Sequence, residues 1–153
     1  MKIISHRGNL EGPNFELENT KKSIDLALEN NFDVEIDLWK VNNEFFLGHD
    51  KPLNKVSFEW LENRKKHLWI HTKNFNAFES LLEINRGFIF FYYTCEPLVL
   101  TSNGKIWCHR IQEITNPANC IAPLLSKSSF QENKQTKWYG VCTDYPIFSK
   151  NNF

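Results

Sequence analysis

Val34-Glu35-Ile36-Asp37-Leu38-Trp39 alternates apolar and acidic side chains, and its reading decides the fold. Successive side chains of a strand point to opposite faces, so Glu35 and Asp37 share one face while Val34, Ile36 and Leu38 share the other. The acidic face is either the solvent edge of an amphipathic strand or one wall of a site, and the flanking sequence bears on which. Upstream, Lys2–Ser5 is a short β-rich run that stops at His6-Arg7-Gly8. A polar loop with Gly12 and Pro13 follows, then Asn19 or Thr20 caps a helix whose apolar face is Ile24, Ala27 and Leu28.

Downstream, the Asn42-Asn43 turn leads into an extended run over 44–48 that ends at Gly48-His49-Asp50. Ser57 caps a helix to about Lys66, Leu68–Lys73 is a third principal strand, and a helix runs from about Asn76 to Ile84. Phe88–Tyr93 has no polar face, which predicts burial on both sides. Pro97–Ser102, an Asn103-Gly104 turn and Lys105–Cys108 form a predicted hairpin. Cys120–Leu124 and Tyr139–Cys142 are two further strands, separated by a polar stretch rich in Ser, Gln and Lys.

Strands alternate with helices through residue 86, which predicts parallel βαβ units. The 67 residues that follow must hold five more strands to complete an eight-stranded barrel, about 13 residues each, whereas such barrels usually use ~200 residues or more in all. The barrel is therefore either complete but stripped of outer helices or open and short of strands. The expected architecture is α/β: a reduced TIM-like (β/α) barrel with few or no outer helices in its C-terminal half, in a single domain over residues 1–153.

In parallel strands, His6, Asp37 and Lys73 fall at carboxyl ends, with Glu35 and His71 two residues deeper. That edge is where ligands bind in barrels and open α/β sheets. Carboxylates, imidazoles and the cations Arg7 and Lys73 converge there. Buried ions cost several kcal/mol each, at about that order, unless paired or metal-bound, so a core does not gather them without reason.

The motifs His6-Arg7-Gly8, Glu18-Asn19-Thr20, Val34-Glu35-Ile36-Asp37 and Gly48-His49-Asp50, in that order and spacing, resemble the signature of the glycerophosphodiester phosphodiesterase family. Thr143-Asp144-Tyr145-Pro146 is similar to the family's final strand. The resemblance implies metal-dependent hydrolysis of a small phosphodiester to a phosphomonoester and an alcohol. It implies that His6 and His49 are the catalytic imidazoles, that Arg7 and Lys73 bind the phosphate, and that Glu18 supports a catalytic side chain. Glu35 and Asp37 correspond to metal ligands for one divalent ion, Mg²⁺, Mn²⁺, Ca²⁺ or Zn²⁺. The family's Glu-x-Lys is here His71-Thr72-Lys73, so His71 replaces the third acid. An imidazole ligand favours Mn²⁺, Zn²⁺ or Fe²⁺ over Ca²⁺. An inactive relative that binds a phosphorylated ligand, and a lyase giving a cyclic phosphate, are the alternatives. His67 and the His109-Arg110 pair are read as surface, although His109 follows a strand and could reach the site.

Lysine plus arginine equals aspartate plus glutamate, at 18 each, which gives no electrostatic case for nucleic acid. The opening residues lack a signal-peptide pattern and no run is long enough to span a bilayer, so no membrane insertion is expected. Cys95, Cys108, Cys120 and Cys142 form no Cys-x-x-Cys pair and are expected to be free, buried thiols of a cytoplasmic protein. The expected partner is a small-molecule phosphodiester. Phe88–Tyr93, if left without helical cover, predicts a homo-oligomer.

Overall fold

The strand carrying Glu35 and Asp37 lies near the middle of a single sheet in the computed structural model, which describes residues 1–84 and 86–152. The first strand, β1 (Lys2–His6), leads to helix α1 (Lys21–Glu29) and then to β2 (Asp33–Val41). A hairpin of β3 (Glu44–Leu47) and β4 (Asn54–Val56) branches from the end of β2. Helix α2 (Phe58–Arg64), β5 (Leu68–Thr72), α3 (Phe75–Ile84) and β6 (Ile89–Tyr92) follow. The second half holds β7 (Leu98–Leu100), β8 (Ile106–Cys108), β9 (Cys120–Pro123), α4 (Lys127–Asn133), β10 (Gly140–Thr143) and α5 (Pro146–Asn151).

The strands run in the order β6-β5-β2-β1-β10-β9-β8, every neighbouring pair parallel, with β7 antiparallel to β8 at the far edge. The sheet curls until that edge meets β6. Ser102, just after β7, makes the junction: its amide donates to the Phe90 carbonyl at 2.9 Å and its hydroxyl accepts from the Phe90 amide at 3.0 Å. This is a reduced TIM-like barrel, and the five strands expected after residue 86 are present among the described residues.

Local chemistry explains the helices. Thr20 accepts from the Ser23 amide and Ser57 from the Trp60 amide, as N-caps that satisfy otherwise unpaired donors. Asn74 caps α3, its side-chain oxygen accepting from the Ala77 amide at 3.1 Å, so the helix starts slightly before the sequence-based estimate. The polar stretch between the last two strands contains α4, opened by a reciprocal Ser126–Ser129 capping box. Its one buried side chain is Phe130, and so narrow an apolar stripe hides the helix from a periodicity reading. The "few helices" expectation holds for the second half, where α4 and α5 span 7 and 6 residues.

The core divides into layers. Outside the first strands, Ile24, Ile36, Leu38, Leu61 and Leu81 pack between the sheet and α1, α2 and α3. Outside the last strands, Val141, Trp138 and Phe130 pack with Phe148 of α5. Inside the barrel, Ile4, Trp69, Phe91, Trp107, Ile121 and Cys142 form a third cluster. Burial of β6 on both sides is only partly found, because Tyr92 stays 38% exposed. Cys95 is exposed, against the expectation that all four thiols are buried; the other three are buried and all four are free. Among the described residues no helix is long and apolar enough to cross a membrane.

Candidate active site

The parity of β2 sends Val34, Ile36 and Leu38 outward against the helices and turns Glu35 and Asp37 into the barrel. Both acids are buried, at 3% and 1% exposure, so the solvent-edge reading of this face fails. Directly across the parallel ladder, His6 pairs with Glu35 and His71 with Asp37. Register alone thus gathers two acids and two imidazoles at the carboxyl ends of three adjacent strands.

The loop after β1 is shaped to hold this group. Arg7, with φ 54°, and Gly8, with φ 84°, lie in the left-handed region, which turns the chain sharply off the strand end. A Cβ on Gly8 would meet the Ser23 hydroxyl at 2.7 Å, so only glycine allows the loop this close to α1. The Arg7 amide donates to the Glu35 carbonyl and its carbonyl accepts from the Asn19 amide, which pins the strained residue on both sides. Gly48, at φ 147°, makes the corresponding turn before His49, and a Cβ there would collide with the Lys51 carbonyl.

His6 Nδ1 donates to Asp144 Oδ1 at 2.7 Å, leaving Nε2 facing Glu35 Oε2 at 3.9 Å. Arg7 Nη1 donates to Glu18 Oε2 at 3.0 Å, and its Nε lies 3.1 Å from Asp37 Oδ2. Glu18 therefore supports Arg7, two residues before the N-cap of α1. Asn9 links these pairs, its Nδ2 donating to Glu18 at 3.0 Å and to Asp144 at 2.8 Å. Asn19 clamps Asp37 from both ends: Nδ2 donates to Asp37 Oδ2, and Oδ1 accepts from the Asp37 amide, each at 2.9 Å. His71 Nδ1 lies 3.1 Å and Lys73 Nζ 3.3 Å from Asp37 Oδ1, while the His71 ring stacks on Phe91 with centroids 5.1 Å apart. His49 lines the same pocket, is 44% exposed and bonds Asp50 at 2.6 Å through Nδ1.

Electrostatics separate the two acids. Burial and the neighbouring Asp37 charge push the Glu35 carboxyl up, against the pull of His6, His71 and Arg7. Burial would also raise Asp37, but His71, Lys73 and Arg7 outweigh it and hold that carboxyl well below the usual range. For His6, burial lowers the pKa, yet the Asp144 hydrogen bond and the Glu35 charge win and leave it raised.

Glu35 Oε2 and His71 Nε2 are buried without a hydrogen-bond partner, and Asp37 Oδ1 meets the His71 and Lys73 nitrogens beside it. The three side chains offer ligand atoms that lie within 4.8 Å of one another. A buried polar atom left unpaired is unfavourable, and two carboxylates with one imidazole are an ordinary donor set for a divalent ion. The cluster is compatible with such an ion.

The site opens into a cavity of about 200 Å³. A roomier hollow of about 430 Å³ lies on the outer side of the β1–α1 loop, between Leu10, Pro13, Leu17 and Leu26. Its charged lining is only Glu11 and Lys22, so the smaller cavity is the one with convergent chemistry.

Every residue singled out from the sequence is in or beside this cluster, although Lys73 stands behind Asp37 rather than on the pocket wall. His109 is exposed, as read, and it also reaches the site: it lines the cavity, stacked on Tyr93 with centroids 3.7 Å apart. Asp144 and Asn9 went unassigned. Asp144 follows β10 at the same edge as His6, and that strand-end position was the signal available for it. His67 is exposed as expected, and lies at the opposite end of β5 against Asp33.

The fold has a close parallel among solved structures. A glycerophosphodiester phosphodiesterase from Agrobacterium tumefaciens str. C58 superposes with a TM-score of 0.60 at 15% identity, covering 97% of this chain and 99% of that one. The architecture here is thus the one found in that phosphodiesterase. No protein-family model and no curated protein matches the sequence.

Proposed function

We propose that the chain hydrolyses a small phosphodiester to a phosphomonoester and an alcohol, using one divalent ion held by Glu35, Asp37 and His71. The observation that supports this reading is the cluster of buried Glu35 and Asp37 with His71, whose ligand atoms lie within 4.8 Å of one another beside the His6 imidazole at the mouth of the barrel. The fold shared with a phosphodiesterase supports it. When bound, the ion would supply positive charge to the phosphoryl oxygens and acidify a water molecule.

The chain's own groups do the rest. Arg7 offers its remaining guanidinium N–H groups to the phosphoryl oxygens, with Nη1 held by Glu18, which Asn9 supports, and Nε beside Asp37. His6 has one nitrogen committed to Asp144 and the other free to exchange a proton. His49, on the turn set by Gly48, is the second imidazole: one takes the proton of the nucleophile and the other gives a proton to the leaving alkoxide. Lys73 offsets the negative charge of Asp37, which keeps that carboxylate ionised and makes the acidic pair tolerable when buried.

The test is ³¹P NMR of a panel of glycerophosphodiesters with Mg²⁺, Mn²⁺, Zn²⁺ or Ca²⁺ added singly. Turnover that requires a metal and drops about 10²–10⁴-fold in His6→Ala and in His49→Ala is expected. The product shift distinguishes a monoester from a cyclic phosphate. Metal-independent turnover, or full activity in either variant, refutes the assignment.

A further inference from the structure

The cavity has two unlike sides. β1, β2, β5 and the turn after β3 contribute ionic groups, whereas β6, β8 and β9 contribute Phe91, Tyr93, Trp107, His109, Pro123 and Leu125. The Tyr93 and His109 rings stack with planes 21° apart, although they follow strands that do not pair with each other. Behind them Phe91 stacks on Trp107 with centroids 4.7 Å apart. A flat, carbon-rich wall is therefore built from two layers of rings.

We propose that the Tyr93–His109 stack determines specificity for one ester arm of the substrate, and that this arm is an alcohol with a flat, apolar skeleton and few hydroxyls. The inference rests on the phosphodiesterase reading. With the phosphoryl group held on the ionic side, an ester arm has the ring wall as its remaining neighbour. A polyol arm there would lose water at each hydroxyl, and the wall returns only ring-edge polar atoms: the Tyr93 hydroxyl, the His109 nitrogens and the Trp107 indole N–H. An apolar ring loses nothing of that kind and gains apolar contact with the rings of the wall. The cavity volume of about 200 Å³ equals about seven waters at liquid density, room for a phosphate and one ring-sized group.

The experiment is calorimetric binding of two product analogues, phenyl phosphate and glycerol 3-phosphate, with Mn²⁺ present. Phenyl phosphate is expected to bind about 10-fold tighter or more. Tyr93→Ser and His109→Ser should bring the ratio close to one, while Tyr93→Phe and His109→Phe, which keep the rings, should preserve it. Equal binding by the unaltered chain, binding of neither ester, or a preference that survives both serine variants overturns the proposal. Diester turnover followed separately by ³¹P NMR judges the parent reading. Discrimination in binding without turnover upholds the wall and defeats hydrolysis, and turnover without discrimination does the reverse.

Discussion

The two halves of the barrel solve different problems with the same strand geometry. Through α3, helices cover the outside of the sheet, and the inward positions at the carboxyl ends of the strands are ionic, His6, Glu35, Asp37 and His71, with Ile4 and Trp69 deeper in the barrel. From β6 onward outer cover comes from α3 on β6, where Phe78 meets Phe90, and then from the short helices α4 and α5, and the inward positions are mostly aromatic or apolar. Burying charge requires tight support, and the first half provides it with capped helices, a strained turn at Arg7 and amide clamps from Asn9 and Asn19. Rings stack with less exacting geometry, and short connections between strands suffice to place them. The exceptions are informative: Asp144 reaches from β10 to hold His6, so the ionic half is incomplete without the last strand.

The largest expected effect is on the aromatic side. Trp107 is 4% exposed and packs on Phe91 and Trp69, so Trp107→Ala should lower unfolding free energy by about 3–5 kcal/mol in chemical denaturation. If the loss is small, the ring cluster does not hold the second half together and the contrast between halves fails.

Asp144→Asn tests the link between them. It keeps the shape of the side chain but removes the charge that orients His6, and kcat should fall about 10- to 100-fold with the fold intact by circular dichroism. Unchanged kcat would mean that the first half carries the chemistry alone.

Glu35→Gln sharpens the cost of burying charge. Because the folded-state pKa of Glu35 is raised, its contribution to stability is fully present below its unfolded pKa of about 4.5 and is lost as pH rises through the higher folded value. In EDTA at neutral pH the variant should therefore be about 1–2 kcal/mol more stable than the parent, while Mn²⁺ affinity falls steeply. Lower stability in EDTA would show that Glu35 supports the metal-free fold.

The smallest effect is a titration. Burial, then the nearby His71 charge, against Glu96, leaves His109 with a pKa lowered to about 4. Its imidazole resonances should stay in the neutral form down to about pH 5, and the fold should weaken as pH falls from about 6.5 towards about 4, because in that window the unfolded chain binds the proton and the folded chain does not. A normal titration near 6.5 would place the ring in water rather than on the wall.

The alternation of residues 34–38, the caps at Thr20 and Ser57 and the turn glycines at Gly8 and Gly48 are local, and local rules of side-chain parity and capping made the first half of the fold legible. Five strands in the last part of the chain were legible too, from length and hydrophobic runs. The helix α4 was not, because Phe130 gives it no repeating stripe. Within the site, His6, Arg7, Glu35, Asp37, His49 and His71 could be chosen from motif order and strand-end position. What they touch could not: the His6–Asp144 bond spans nearly the whole chain, and it exists because β1 pairs in parallel with β10. The same holds for Tyr93 and His109, whose strands β6 and β8 meet only when the sheet curls around β7. The sequence by itself determined which groups carry charge and where strands end, since those depend on residue type and near neighbours. Only the tertiary structure decided that Glu35 and Asp37 face a closed interior rather than water, because sheet curvature sets which face of a strand is inside.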